Sequence, residues 1–246
     1  MVRILVVLSG SDHWTLNDGT RHPTGYWAEE FVVPHRTFCR QGVDVDIATP
    51  AGVRPTVDQV SLDPQRLGDE GKAADFRRYL DSIDAELARP MAVEKIAGNA
   101  SAYDAIYIPG GHGPMEDLSL CAPLGEIITE LYDAGRVVTA VCHGPAGLLP
   151  AGRQDGSWLF QRRRMTAFTN EEERLAGLAP RAPWLLEDRL RERGAVFRAG
   201  PPWQSHVVAD GNLITGQNPA SSGLPPTTHW LSSRSARNSD ELEDFR

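Results

Sequence analysis

An α/β fold with a mostly parallel, doubly wound sheet is what this sequence predicts, on three observations. Short apolar runs recur along the chain, the first and last of the main four broken only by Arg3, Arg136 and Thr139. Such runs suit strands covered on both faces, as in a parallel sheet. Segments of helical pattern separate them, so strand and helix alternate as in successive βαβ units. A length of 246 residues fits one compact domain with a sizeable core.

The elements follow in order. VRILVVL (2–8) reads as the first strand and GYWAEEFVVPHRTFCRQG (25–42) as the first helix. VDVDIAT (43–49) is a second strand, and the Pro-, Gly- and Asp-rich stretch from Pro50 to Leu67 a long loop. Residues 71–97 are helical in pattern, so a helical cap over the site is expected around 50–98. DAIYIP (104–109), APLGEIITELYDAG (122–135) and RVVTAVC (136–142) give strand, helix, strand. A helix at 143–149, a strand near MTAFT and a helix at WLLEDRLRERG come next, then strands AVFRA, SHVVA and NLITG. The domain is expected to span 1–222. In the tail, 223–246, Pro225-Pro226 should stop any helix, and a loosely packed arm is expected.

Composition narrows the function classes. Hydrophobic residues at 41% and charged residues at 24% are ordinary for a globular protein. A net charge of −8 argues against nucleic-acid binding, which needs a basic face to meet phosphates. Met1 leads straight into VRILVVL, too short for a signal segment, and no run of ~18 apolar residues offers a membrane span. Cys39, Cys121 and Cys142 are odd in number and widely spaced, so no disulfide framework is expected. A reduced, cytoplasmic protein is the expectation.

The chemistry concentrates at Cys142, which ends a buried strand and precedes His143-Gly144-Pro145. Small flanking residues permit the strained strand-to-helix turn that lifts a nucleophile above a sheet. The following helix N-terminus should lower the thiol pKa. Cys39 and Cys121 read instead as inert, buried cysteines. Ile108-Pro109-Gly110-Gly111-His112-Gly113 closes a neighbouring strand, and Gly111 with the His143 amide would form an oxyanion hole. On the first helix Trp27, Phe31, Pro34 and Phe38 form an apolar stripe. Glu30 lies about 60° from its centre and Glu29 about 160° away, on the solvent side. A half-buried Glu30 should have a raised pKa. His143 could act as base or acid if a carboxylate orients it, and Glu171, Glu172 and Glu173 are equally eligible by spacing. His13, His22 and His112 fall in expected loops and lack metal-ligand spacing, so no metal site is expected.

Glu30 four before Pro34, Ile108–Gly113, Ala140–Pro145 and Leu213–Ser221 together resemble the ThiJ/PfpI superfamily. They look most like its heat-shock chaperone and glyoxalase III class, related to class I glutamine amidotransferase domains. The resemblance implies a flavodoxin-like sandwich and catalytic roles for Cys142, His143 and Glu30. It implies a further carboxylate beside the histidine, which fits Glu173 best with Glu172 as fallback. Gly110, Gly111 and His112, with Tyr26 and Trp27 at the pocket entrance, are the implied substrate or oxyanion contacts. It also implies a homodimer and cofactor-independent conversion of a small 2-oxoaldehyde, methylglyoxal, to D-lactate. The Gly223–Pro226 stretch departs from the family's closing helix.

Other readings share the fold. A holding chaperone for unfolded clients would expose apolar surface, with Trp14, Trp158 and Trp184 as candidates. A hydrolase of the intracellular-peptidase type would act on peptides or amides, and a thiol sensor would oxidise at Cys142 first.

Overall fold

The computed structural model describes residues 2–223, so the tail expectations for 224–246 lie outside the described residues. The strands are β1 (Arg3–Val7), β2 (His13–Thr15), β3 (Arg21–Pro23), β4 (Asp44–Thr49), β5 (Met91–Ala92) and β6 (Ala105–Ile108). They continue as β7 (Val137–Val141), β8 (Arg164–Met165), β9 (Val196–Phe197), β10 (Val207–Asp210) and β11 (Leu213–Gly216). The main sheet has the order β10-β11-β7-β6-β1-β4-β5, with β10–β11 its only antiparallel pairing among the described residues.

Helices cover both faces. They are α1 (Ala28–Arg40), α2 (Pro64–Leu67), α3 (Glu70–Ser82), α4 (Asp84–Leu87), α5 (Val93–Ile96) and α6 (Gly113–Glu116), then α7 (Ala122–Asp133), α8 (Asn170–Ala176) and α9 (Leu186–Glu192). Strand residues alternate between the two cores. Ile4, Val6, Tyr107 and Val141 pack with Phe31 and Phe38 of α1 and Phe76 of α3. Leu5, Val7, Ile106 and Ala140 pack with Ile127 and Leu131 of α7 on the other face. This is the doubly wound α/β sandwich expected from the recurring apolar runs.

Register places the site. Ile108 pairs with Ala140, and Val141 with Gly216, so β6, β7 and β11 end side by side at one edge. Ligands gather beyond the carboxyl ends of such strands, and here that edge carries the turn after Ile108 and the one after Val141.

Several elements differ from the sequence reading. His13 and His22 lie in the antiparallel β2–β3 hairpin, not in loops. The helix expected at 143–149 is a short 3₁₀ turn, Gly144–Leu148, in which glycine is a poor helix former. The strand near MTAFT shortens to β8. Within 50–98, Asp58, Val60, Arg66, Leu67 and Lys72 line a cavity shared with Cys142 and α3 packs on α1, while the rest is not cap: β5 extends the sheet and Val93 and Ile96 fill the opposite core. Trp14 and Trp158 are buried and Trp184 half-buried, so the apolar surface expected of a chaperone is not at these three residues. Cys39 is exposed rather than buried, because it sits one position past the buried Phe38.

Candidate active site

Cys142 follows the last residue of β7 and has φ +58°, a left-handed conformation that non-glycine residues rarely adopt. The strain is held from both sides. The Cys142 amide donates to the Gly216 carbonyl at 2.9 Å, and its carbonyl accepts from the Phe168 amide at 2.9 Å. Gly110 must lack a side chain, since a Cβ there would come within 2.6 Å of the His143 nitrogen and 2.9 Å of Cys142 Cβ. The Cys142 sulfur is only slightly accessible, at the base of a cavity of about 500 Å³.

His143 is buried beside it. Its Nδ1 lies 3.4 Å from the Cys142 sulfur and its Nε2 lies 2.7 Å from Glu173 Oε2. The other Glu173 oxygen, Oε1, is 2.9 Å from His112 Nε2. Burial alone would raise the Glu173 carboxyl, but His112 and His143 outweigh it and hold that group well below the usual carboxylate range. An ionised carboxylate only accepts, so both imidazoles donate Nε2–H to it, which leaves a lone pair on His143 Nδ1 facing the thiol. Burial, and next the neighbouring His112, lowers the His143 pKa despite Glu173, so this ring rests neutral. His112 is supported from behind by the buried Trp14 of β2, stacked at 5.1 Å.

Of the glutamates left open by spacing, Glu173 is the one that meets His143. Glu172 forms a capping box with Thr169 at the start of α8. It also accepts from the Trp203 amide and from the side chains of Gln217 and Asn218.

Glu30 is fully buried on α1, where its position at the edge of the apolar stripe turns it toward the sheet. Its Oε2 accepts from the Gly110 amide at 2.7 Å, while Oε1 is buried without a hydrogen bond of ordinary geometry. Burial pushes the Glu30 carboxyl up to about 8. The raised value expected from the helical wheel is therefore present, and stronger than half-burial would give. Glu29 lies at the cavity wall paired with Lys72 at 2.7 Å, not in open solvent.

Three expectations are corrected here. The Cys142 thiol is not lowered by a helix: burial pushes it well up, and Glu30, when ionised, pushes it further. No helix of useful length stands behind it. The Gly110 amide is occupied by Glu30, while that of Gly111 is directed at the sulfur. Tyr26 is buried against Phe31 at 5.3 Å and does not line the cavity, whereas Trp27 does. The nitrogens of His112 and His143 and the Glu173 carboxylate lie within 4.8 Å of one another, as a divalent cation would require. Each nitrogen already donates to Glu173, so a cation would have to displace both protons. The pairing of His112 with Glu173, 61 residues apart, carries no sequence signal. Phe168 and Trp203, both on the cavity wall, likewise carry no spacing that marks them in the sequence.

No helix among the described residues is long and apolar enough to cross a membrane. The chain is 30% identical over 227 residues to the glutathione-independent glyoxalase HSP31 of Saccharomyces cerevisiae, covering 89% of this chain and 92% of that protein. The crystal structure of glyoxalase III from Candida albicans superposes with a TM-score of 0.76 at 26% identity, covering 90% of this chain and 93% of that one. The 24 kDa rapid encystment protein of Francisella tularensis has a TM-score of 0.76 at 29% identity, covering 91% and 95%. Residues 24–223 match the DJ-1/PfpI family, and with the strained cysteine turn on a parallel sheet this chain belongs to that family.

Proposed function

We propose that this protein is a glutathione-independent glyoxalase that converts methylglyoxal, or a related 2-oxoaldehyde, and water to the matching 2-hydroxy acid. The observation that carries the reading is the convergence on Cys142, at the cavity, of His143 backed by Glu173 and of a fully buried Glu30 with a raised pKa. Its relatives from Saccharomyces cerevisiae and Candida albicans bear glyoxalase names.

His143 Nδ1 takes the thiol proton as the sulfur of Cys142 bonds to the aldehyde carbon, and Glu173 stabilises the imidazolium that forms. The oxygen of the resulting hemithioacetal develops charge near the amides of Gly111 and His143. Ionised Glu30 then removes the hydrogen from the former aldehyde carbon and returns it to the adjacent ketone carbon. The two carbons exchange oxidation levels, leaving a thioester of the hydroxy acid. Water cleaves that thioester and restores the thiol, so no external oxidant or reductant is consumed. The test is lactate formation from methylglyoxal with no glutathione added, for wild type and Cys142→Ala. Loss of turnover in the variant supports the assignment, and equal rates refute it.

A further inference from the structure

The cavity above Cys142 is much larger than methylglyoxal. That substrate has five non-hydrogen atoms, roughly 150 Å³ even at the share of liquid volume a water molecule takes, against a cavity of about 500 Å³. The surplus is bounded by aromatic and aliphatic groups. Phe168 is tilted over His143 at 4.5 Å, and Trp203 meets Phe168 edge-on at 5.5 Å. Val60, Leu67 and Leu178 continue the wall.

Trp203 is 49% exposed, and its backbone stands at φ +62°. A bulky residue in that conformation is an outlier whose surroundings must hold it, and such outliers cluster where ligands bind. Here the Trp203 amide is anchored to Glu172, the neighbour of the carboxylate that orients His143. The charges on the wall offset one another in sign. Glu29 and Asp58 are matched by Arg66 and Lys72, and burial keeps His22 largely neutral. The space beyond the reacting carbons therefore offers apolar and aromatic contact without a net charge.

From this geometry we infer that the preferred substrates are 2-oxoaldehydes carrying an uncharged aryl substituent, seated against Phe168 and Trp203. The inference rests on the glyoxalase reading for the reacting end and on the cavity wall for the substituent. An aromatic group gains both apolar burial and edge-to-face contact there, which a methyl group cannot.

The experiment compares kcat/KM for phenylglyoxal and methylglyoxal in wild type, Trp203→Phe and Trp203→Ala. Wild type should favour the aryl substrate by about tenfold, a difference of the size expected for burying one ring against aromatic partners. The preference should survive in Trp203→Phe and fall about tenfold in Trp203→Ala. Calorimetric binding of the two product acids, mandelate and lactate, gives a readout without turnover: mandelate should bind about tenfold tighter, and only while residue 203 is aromatic. Should wild type turn over neither aldehyde, the glyoxalase reading falls, and the binding ratio alone decides whether the aryl wall exists. Equal affinity for mandelate and lactate, or a preference that Trp203→Ala leaves intact, overturns the inference.

Discussion

Replacing Glu30 by glutamine should make the protein more stable at alkaline pH, and the size of the effect follows from burial. The Glu30 carboxyl is raised from 4.5 to about 8 because α1 holds it inside the protein, where its charged form loses hydration. The unfolded chain releases this proton near its ordinary value, while the native state keeps it. Between those values the native state binds more protons than the unfolded one, so wild-type stability falls as pH rises. Integrating the linkage from pH 5 to pH 8 gives a loss of about 3 to 4 kcal/mol from this one group. The substituted amide keeps an acceptor for the Gly110 N–H and cannot ionise, so Glu30→Gln should lack that loss. Urea unfolding of both proteins at pH 5, 6, 7 and 8 measures it. The gap between their unfolding free energies should widen steadily in favour of the variant over this range. Parallel stability curves would refute the claim that the fold holds Glu30 protonated.

Three further outcomes are expected. Because ionised Glu30 is the proposed base, kcat/KM for a 2-oxoaldehyde should rise with pH up to about 8 and then level; Glu30→Gln should abolish this limb and lower turnover by about 10²- to 10⁴-fold, as read from pH–rate profiles. Glu173→Gln leaves His143 without its anionic partner and should lower kcat by about 10²- to 10⁴-fold. It should also destabilise the fold most above the ordinary carboxyl range, an effect that starts to fade as pH falls through that range and shrinks further below it, measurable by thermal unfolding at about pH 7 and about pH 3. Gly110→Ala drives a methyl group into the His143 amide and Cys142 Cβ. It should lower the melting temperature and remove activity together, whereas the same substitution at Gly156, where nothing lies near the added Cβ, should leave activity intact.

The parts of the fold legible in the sequence are those in which one physical signal dominates. β1, β6 and β7 are almost wholly apolar on both faces, the pattern of strands covered on both sides in a parallel sheet. Hairpin β2–β3 was missed because His13-Trp14-Thr15 and Arg21-His22-Pro23 are too short for alternation to show. Helical geometry placed Glu30 near the buried face, but its complete burial depends on Gly110, 80 residues away. Cys142 could be located as a strained turn, yet the sign of its pKa shift could not, because burial outweighs any local helix effect. Spacing leaves the glutamates open and the family resemblance favours Glu173; the reason lies in the tertiary structure, where adjacent residues on α8 face different partners.

That division between adjacent acids ties the far end of the chain to proton transfer. Glu172 is spoken for by Thr169, Trp203, Gln217 and Asn218, and this fixes the rotation of α8 about its own axis. The next carboxylate, Glu173, inherits its aim at His143 from that rotation. A one-residue slip at the end of β11 would displace Gln217 and Asn218, disturb the cavity wall at Asn218 and loosen the contacts that orient α8. The carboxylate that orients His143 thus shares its helix with an acid held by residues that follow the last strand of the sheet.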